Sequence, residues 1–313
     1  MSVFKIHHIT KYEYDLAVKE SINEIRIFPY QCPEQEVLQH QLLITEQPPV
    51  FTLTDYWGNV AGTFNLLSPH KELIIESKLL VRTTHPPETT INYTTGFNEL
   101  EKEVNSHLRM LELASEDLID AQASITEIIA AIYHPSKSVA AIVEECNAYI
   151  YNNFQYSKGI TSTETTVDEI LEHKGGVCQD FAHVLLQLLR TLKIPSRYVS
   201  GYICPNKSGL RGEGATHAWV EAWVPGYGWA GVDPTNNIWV TNKHVKLAVG
   251  RNFKDCTPIK GTFKGIAEQK LSVYVSVGYE DGKTFEDMTN VRMDVSKEKR
   301  SKPAQVQSQQ QQQ

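Results

Sequence analysis

The sequence lacks the cysteine pairs of a disulfide framework or a structural zinc site. Its five cysteines are odd in number, and none forms a Cys-x-x-Cys motif. They are Cys32, Cys146, Cys178, Cys204 and Cys256. Because secreted disulfide-rich domains and zinc fingers carry closely spaced cysteines, we expect free thiols, a cytoplasmic protein, and neither a metal site nor a cofactor.

Long apolar runs and an excess of basic residues are also missing. No window approaches the roughly 18 apolar residues of a membrane span, and the first residues lack the apolar run of a signal peptide. The net charge of −7 at pH 7 argues against general nucleic-acid binding, which needs a concentrated basic face. We therefore expect a globular protein with no membrane and no nucleic-acid partner. Its oligomeric state does not follow from the sequence.

Two kinds of sequence period divide the chain into domains. In residues 1–87, alternating positions such as Phe4 and Ile6 predict antiparallel strands and a β-sandwich-like N-terminal domain. Residues 88–294 show helical spacing and then strands again, which predicts a core with C-terminal strands. Residues 295–313 end in a glutamine run with almost nothing apolar to bury, so we expect a disordered tail.

One short segment has the features of a nucleophile. Gly175 and Gly176 precede Cys178, and the apolar spacing after it predicts a helix that ends before Pro195. The N–H groups and dipole of a first helical turn favour a thiolate there. The glycines would let a substrate backbone approach closely. Taken alone, the segment also fits a small buried cysteine at a helix start.

A histidine and an aspartate follow on a predicted hairpin. His217 opens one strand and Asp233 closes the next, with a turn at 225–228 between them. Within about two residues of register, Asp233 lies across from or diagonal to His217. Cys178, His217 and Asp233 thus provide a nucleophile, its base and the carboxylate that orients the base. Trp219 shares the predicted strand face of His217 and is a candidate cleft residue.

Other assignments of the polar residues fit less well. His183 lies on a different face of the predicted helix from Cys178, and His173 has no acidic partner on an adjoining strand. A zinc site built from Cys178, Cys204 and His217 would have spacings that match no common zinc pairing.

Several segments resemble the bacterial transglutaminase-like family, whose members are often described as cysteine proteases. In the predicted core they are Gly-Gly-Val-Cys-Gln-Asp-Phe-Ala-His, Pro-Ser-Arg-Tyr-Val-Ser-Gly-Tyr, Thr-His-Ala-Trp-Val-Glu and Asp-Pro-Thr-Asn-Asn. The segments 12–26 and 55–59 resemble the family's N-terminal domain, and 248–253 resembles its C-terminal signature. The family usually has Asp-Tyr where this chain has Asn252 and Phe253.

The resemblance implies an α+β fold: a papain-like transglutaminase core, with helices packed on an antiparallel sheet, preceded by the β-sandwich-like domain. Cys178, His217 and Asp233 match the family's catalytic positions. The implied activity is hydrolysis of a peptide or amide through a thioester. Transfer to an amine is the alternative, and a non-catalytic peptide-binding module is a third. The Cys178 N–H and Tyr156 are the implied oxyanion donors.

Overall fold

The structure is a computed structural model that describes residues 2–84, 91–204, 211 and 216–279, together with the backbone of 306–310. The first part of the chain forms six strands. They are β1 (Ser2–Val18), β2 (Glu20–Ile25), β3 (Gln35–Ile44), β4 (Phe51–Thr54), β5 (Val60–Leu66) and β6 (His70–Thr83). Phe4, Ile6 and Tyr12 on alternate positions of β1 are buried, as the sequence period predicts.

A layer of helices follows in the chain. It contains α1 (Phe97–Val104), α2 (Leu108–Leu113), α3 (Gln122–Ile132), α4 (Val139–Asn153), β7 (Gln155–Tyr156), α5 (Val167–His173), β8 (Gly175–Gly176) and α6 (Cys178–Thr191). The Ser138 side chain accepts a hydrogen bond from the Ala141 N–H and thereby caps α4. Helix α6 is buried along most of its length, because α3, α4 and α5 pack against it on one side and a sheet on the other.

That sheet is antiparallel and has the order β12–β11–β10–β9–β13. Its elements are β9 (Ser196–Ile203), β10 (Thr216–Val224), β11 (Gly228–Asp233), β12 (Ile238–Trp239) and β13 (His244–Gly250), followed by helix α7 (Phe253–Cys256). Ala218, Val220 and Ala222 of β10 join the apolar core that α6 forms with the other helices. The predicted α+β class, with helices on an antiparallel sheet, is confirmed.

The remaining strands return to the N-terminal domain. They are β14 (Ile259–Lys264), β15 (Gln269–Tyr279) and β16 (Val306–Gln310). Strand β15 pairs with β1 along its whole length, and β14 pairs with β2. The division predicted from the sequence, which counted the C-terminal strands with the core, therefore differs from the structure. Strands that lie far apart in the sequence can pair along a sheet edge. Hydrophobic periodicity predicts that a segment is a strand, but it does not identify the strand with which it pairs.

The tail also differs from its prediction over one segment. Residues 306–310 pair antiparallel with β14, where we expected disorder from residue 295. The edge of β14 presents backbone N–H and C=O groups, and a further strand satisfies these by backbone pairing alone. The rest of the tail lies outside the described residues. Among the described residues, no helix is both long and apolar enough to cross a membrane.

Candidate active site

Cys178 is the first residue of α6, as its place after two glycines predicts. The Asp180 carboxylate holds this helix start in place, because its Oδ2 accepts the Val177 N–H at 2.7 Å and the Thr161 hydroxyl at 2.6 Å. Cys178 is only 3% exposed. The nucleophile candidate thus lies at the positive end of a well-anchored helix.

The structure gives Gly176 a different role from the predicted one. A Cβ at this position would lie 2.4 Å from Asp180 Oδ2 and 2.7 Å from Asp180 Cβ. Such distances are shorter than van der Waals contact, so any larger residue would displace Asp180. Asp180, which anchors α6, therefore occupies the space where a side chain at position 176 would lie. This contact accounts for the glycine, so the approach of a substrate backbone is not needed to explain it.

The structure brings His217 and Asp233 together. Strands β10 and β11 pair Val220 with Val232, so Asp233 lies diagonal to His217. His217 Nε2 donates to Asp233 Oδ2 at 2.8 Å, and both side chains are fully buried. The backbone N–H of Thr235 donates to Asp233 Oδ1 at 2.9 Å. Both oxygens of the Asp233 carboxylate therefore accept hydrogen bonds.

His217 also interacts with Cys178. Because Nε2 is bonded to Asp233, Nδ1 is the ring nitrogen left for the thiol; it is buried and forms no hydrogen bond of normal geometry. Burial alone would lower the pKa of His217, but the Asp233 carboxylate and Cys178 together raise it to about 10. Burial acts to raise the pKa of Asp233, yet the cationic ring holds it below its usual range.

A second histidine at this carboxylate was missed by the sequence analysis. His244, the first residue of β13, places Nε2 3.4 Å from Asp233 Oδ2, and its Nδ1 accepts the Thr241 N–H at 3.2 Å. The Thr241 bond assigns the ring proton to Nε2, which donates to Asp233. Burial lowers the pKa of His244, so the ring is neutral at pH 7. A histidine that opens a predicted strand, as His217 does, is the signal that could have found it.

Two predicted cleft residues have different surroundings. Tyr156 is half-buried, pairs with Gly176 through the β7–β8 backbone, and packs its ring on Phe181 with 6.2 Å between centroids. Burial, followed by the charge on Cys178, raises the pKa of Tyr156, so its hydroxyl remains a hydrogen-bond donor. The structure brings this residue close to Cys178.

Trp219 lies elsewhere than predicted. Its ring is 1% exposed and packs with Val199 and Val249, against Tyr30 and Trp57 of the N-terminal domain. The strand face that it shares with His217 is covered by that domain. Trp219 lines a small cavity of about 40 Å³ there with His244 and Glu221, and Cys178 is not among the residues of its lining. The alternation along β10 correctly predicted that Trp219 shares a strand face with His217. It did not predict that the N-terminal domain covers this face.

The cluster of His217, Asp233 and His244 also has the composition of a metal site. One ligand atom from each residue lies within 4.8 Å of the others. His217 Nε2 and His244 Nε2, however, already form hydrogen bonds with Asp233 Oδ2. The arrangement is therefore explained by the bonds among its own residues.

Comparison with known proteins gives the family. Residues 126–234 match the model of the transglutaminase-like superfamily, and residues 4–82 match the bacterial transglutaminase-like N-terminal region. An uncharacterised protein of Mycobacterium leprae is 31% identical over 281 residues, covering 87% of this chain and 97% of the relative. The chain belongs to the transglutaminase-like superfamily. Cys178, His217 and Asp233 of this transglutaminase-like protein all lie within the matched core region.

Two further relatives of this transglutaminase-like protein have descriptive names. A Pseudomonas aeruginosa protein named protein-glutamine gamma-glutamyltransferase is 28% identical over 171 residues, covering 52% of this chain and 24% of the relative. The crystal structure of a "putative cysteine protease" from Cytophaga hutchinsonii is 20% identical with a TM-score of 0.70, and the match covers 99% of this chain and 98% of that one. The second similarity establishes the fold.

Proposed function

We propose that this transglutaminase-like protein is an acyl-transfer enzyme that acts on a peptide or an amide. In this proposal Cys178 is the nucleophile, His217 its base and Asp233 the carboxylate that orients the base. The observation that carries the proposal is the buried His217 ring, which donates to Asp233 at 2.8 Å and interacts with Cys178 through its other side. Membership of the superfamily supports it.

The proposed reaction proceeds through a thioester. His217 Nδ1 already holds the proton of the Cys178 thiol, so the thiolate attacks the carbonyl carbon and His217 gives this proton to the leaving amine as the carbon–nitrogen bond breaks. The acceptor then loses a proton to the same ring and attacks the thioester, which releases the acyl product and regenerates the pair of thiolate and protonated ring. The Cys178 N–H and the Tyr156 hydroxyl are the proposed donors to the oxyanion.

Selective alkylation tests the nucleophile. At pH 6, we expect iodoacetamide to label Cys178 much faster than Cys32, because a thiolate paired with an imidazolium reacts where a neutral thiol does not. Burial raises the pKa of Cys32 to about 12, which makes that residue a suitable internal reference. Peptide mapping by mass spectrometry measures both rates. Equal labelling would favour the non-catalytic peptide-binding module.

We propose water as the acceptor of the acyl group, because the sequence contains no feature suited to binding a lysine side chain or calcium. Transfer to an amine is the second candidate, and the similarity to the Pseudomonas aeruginosa gamma-glutamyltransferase favours it. Incubation with a glutaminyl peptide and a primary amine separates the two. Predominant release of the glutamyl acid supports hydrolysis, and predominant amine-linked peptide supports transfer.

We also propose a cytoplasmic location. All five cysteines are free, although an oxidising compartment would favour their pairing. Recovery of the chain in a periplasmic or secreted fraction would contradict this.

A further inference from the structure

A cationic side chain lies beside the candidate active site. The Arg211 guanidinium stacks on Tyr151, with 4.4 Å from Cζ to the ring centroid. It forms no ion pair within the described part of the chain, and its Nη1 is buried without a hydrogen-bond partner. Burying part of a guanidinium without an acceptor costs free energy, which an anion bound there would recover.

Hydrogen bonds tie the backbone of Arg211 to the candidate triad. The Arg211 N–H donates to Asn236 Oδ1 at 2.7 Å, and Asn236 Nδ2 donates back to the Arg211 carbonyl at 3.2 Å. The same Nδ2 donates to Asp233 Oδ2 at 2.7 Å. A single side chain therefore joins the backbone of Arg211 to the carboxylate that holds His217.

The charge of Arg211 also reaches the neighbourhood of the nucleophile. Burial, Cys178 and Asp233 raise the pKa of Tyr156, and Arg211 opposes them. The Cys178 sulfur and the Arg211 guanidinium thus both influence the pKa of the Tyr156 hydroxyl, in opposite directions.

We propose that Arg211 binds a carboxylate of the substrate next to the carbonyl that Cys178 attacks. A guanidinium offers paired N–H donors that match the two oxygens of a carboxylate, and stacking on Tyr151 holds its plane in one orientation. This inference rests on the proposed function and specifies its substrate class. The carboxylate is either a free chain terminus or an acidic side chain.

The other charges near the sulfur make the proposal testable. Asp180 lies two residues after Cys178, and Asp233 is bonded to His217. Both carboxyl groups disfavour an incoming anion, although burial raises the pKa of Asp180. Preference for an anionic reagent at Cys178 would therefore need a cation that faces the reagent.

Iodoacetate and iodoacetamide provide that test without a known substrate. Both alkylate a thiolate by forming a sulfur–carbon bond as iodide leaves, and they differ mainly in charge. We expect the ratio of iodoacetate to iodoacetamide rates at Cys178 to fall about tenfold in Arg211→Gln and less in Arg211→Lys, which keeps the charge without the paired donors. Arg109→Gln is the matched control, because Arg109 stacks on Tyr56 at 4.7 Å. It should leave the ratio unchanged.

The outcomes separate this proposal from the proposed function. An unchanged ratio in both Arg211 variants, with Cys178 still labelled faster than Cys32, would overturn the carboxylate site alone. Failure of both reagents to select Cys178 in the parent protein would overturn both proposals, whereas selection by iodoacetamide but not by iodoacetate would overturn the carboxylate site alone. Peptide pairs then identify the source of the carboxylate: faster cleavage of a free over an amidated C-terminus indicates the terminus, and faster cleavage of a glutamate over a glutamine neighbour indicates a side chain.

Discussion

Four hydrogen bonds converge on the Asp233 carboxylate, from His217, His244, Asn236 and the Thr235 backbone. A buried carboxylate needs such donors because burial disfavours its charge. Two of the donors, Thr235 and Asn236, lie two and three residues after Asp233 in the chain, whereas His217 and His244 come from separate strands. The sequence indicated His217 as a partner because a hairpin links it to Asp233, but it contained no comparable link to His244.

We predict that His244 positions Asp233. His244→Phe removes one donor to a buried carboxylate, and we expect the alkylation rate of Cys178 at pH 6 to fall about tenfold, with partial recovery in His244→Gln, whose amide still donates. His70→Gln controls for the loss of a buried histidine, because His70 bonds to Ser21 and to the Ser68 carbonyl within the N-terminal domain. Equal rates in the Phe and Gln variants would argue against a positioning role.

The protonation of His217 gives a second prediction. The Asp233 carboxylate and Cys178 together raise the pKa of His217 to about 10, so the ring should stay protonated until the pH approaches that value. In Asp233→Asn the larger of these two contributions is lost while the burial of the ring remains, so the pKa of His217 should fall. NMR titration of the imidazole measures both. An unchanged midpoint in the variant would show that Asp233 does not hold the proton.

At the scale of elements, the start of α6 depends on a contact between neighbouring turns. Asp180 reaches back to Val177 and fills the space that Gly176 leaves. The glycine pair and the cysteine predicted the helix start correctly. Only the structure explains Gly176, because it shows that a Cβ at this position would collide with Asp180. A glycine in a sequence indicates that space is needed there, but it does not identify the neighbouring group.

We predict that Gly176→Ala displaces Asp180 and the helix start with it. Overpacking of this kind costs about 1–3 kcal/mol of unfolding free energy, and Cys178 alkylation should slow as the thiol moves from His217. Gly265→Ala is the control, because a Cβ there would meet nothing nearer than 3.7 Å. Urea unfolding and alkylation measure the two effects, and an alanine variant as reactive as the parent would refute the prediction.

At the scale of the whole molecule, both ends of the chain build one β domain, and that domain shares a core with the central sheet. Val245 and Leu247 of β13 belong to the same apolar cluster as Val275 of β15 and Ile6 of β1. A shared core couples the unfolding of its parts. A substitution that destabilises β15 should therefore also lower the stability of the structure around Cys178, although Cys178 lies on α6.

We predict that Val275→Ala destabilises the whole chain in a single step. Removal of two buried methyl groups costs about 2 kcal/mol, and the urea midpoints from tryptophan fluorescence and from Cys178 reactivity should fall together. Leu67→Ala should change neither midpoint, because Leu67 is 74% exposed. Two separate transitions would show that the β domain unfolds independently of the core.

The sequence by itself determined the local features: the strand periods, the helix that begins at Cys178, and the pairing of His217 with Asp233 through a hairpin. Periodicity and turn chemistry act between close neighbours, so they can be read from one segment at a time. The tertiary structure decided the return of β14 and β15 to the first domain, the burial of Trp219 beneath it, and the approach of His244 to Asp233. Each of these depends on which distant surfaces fit together, and that is a property of the packed molecule.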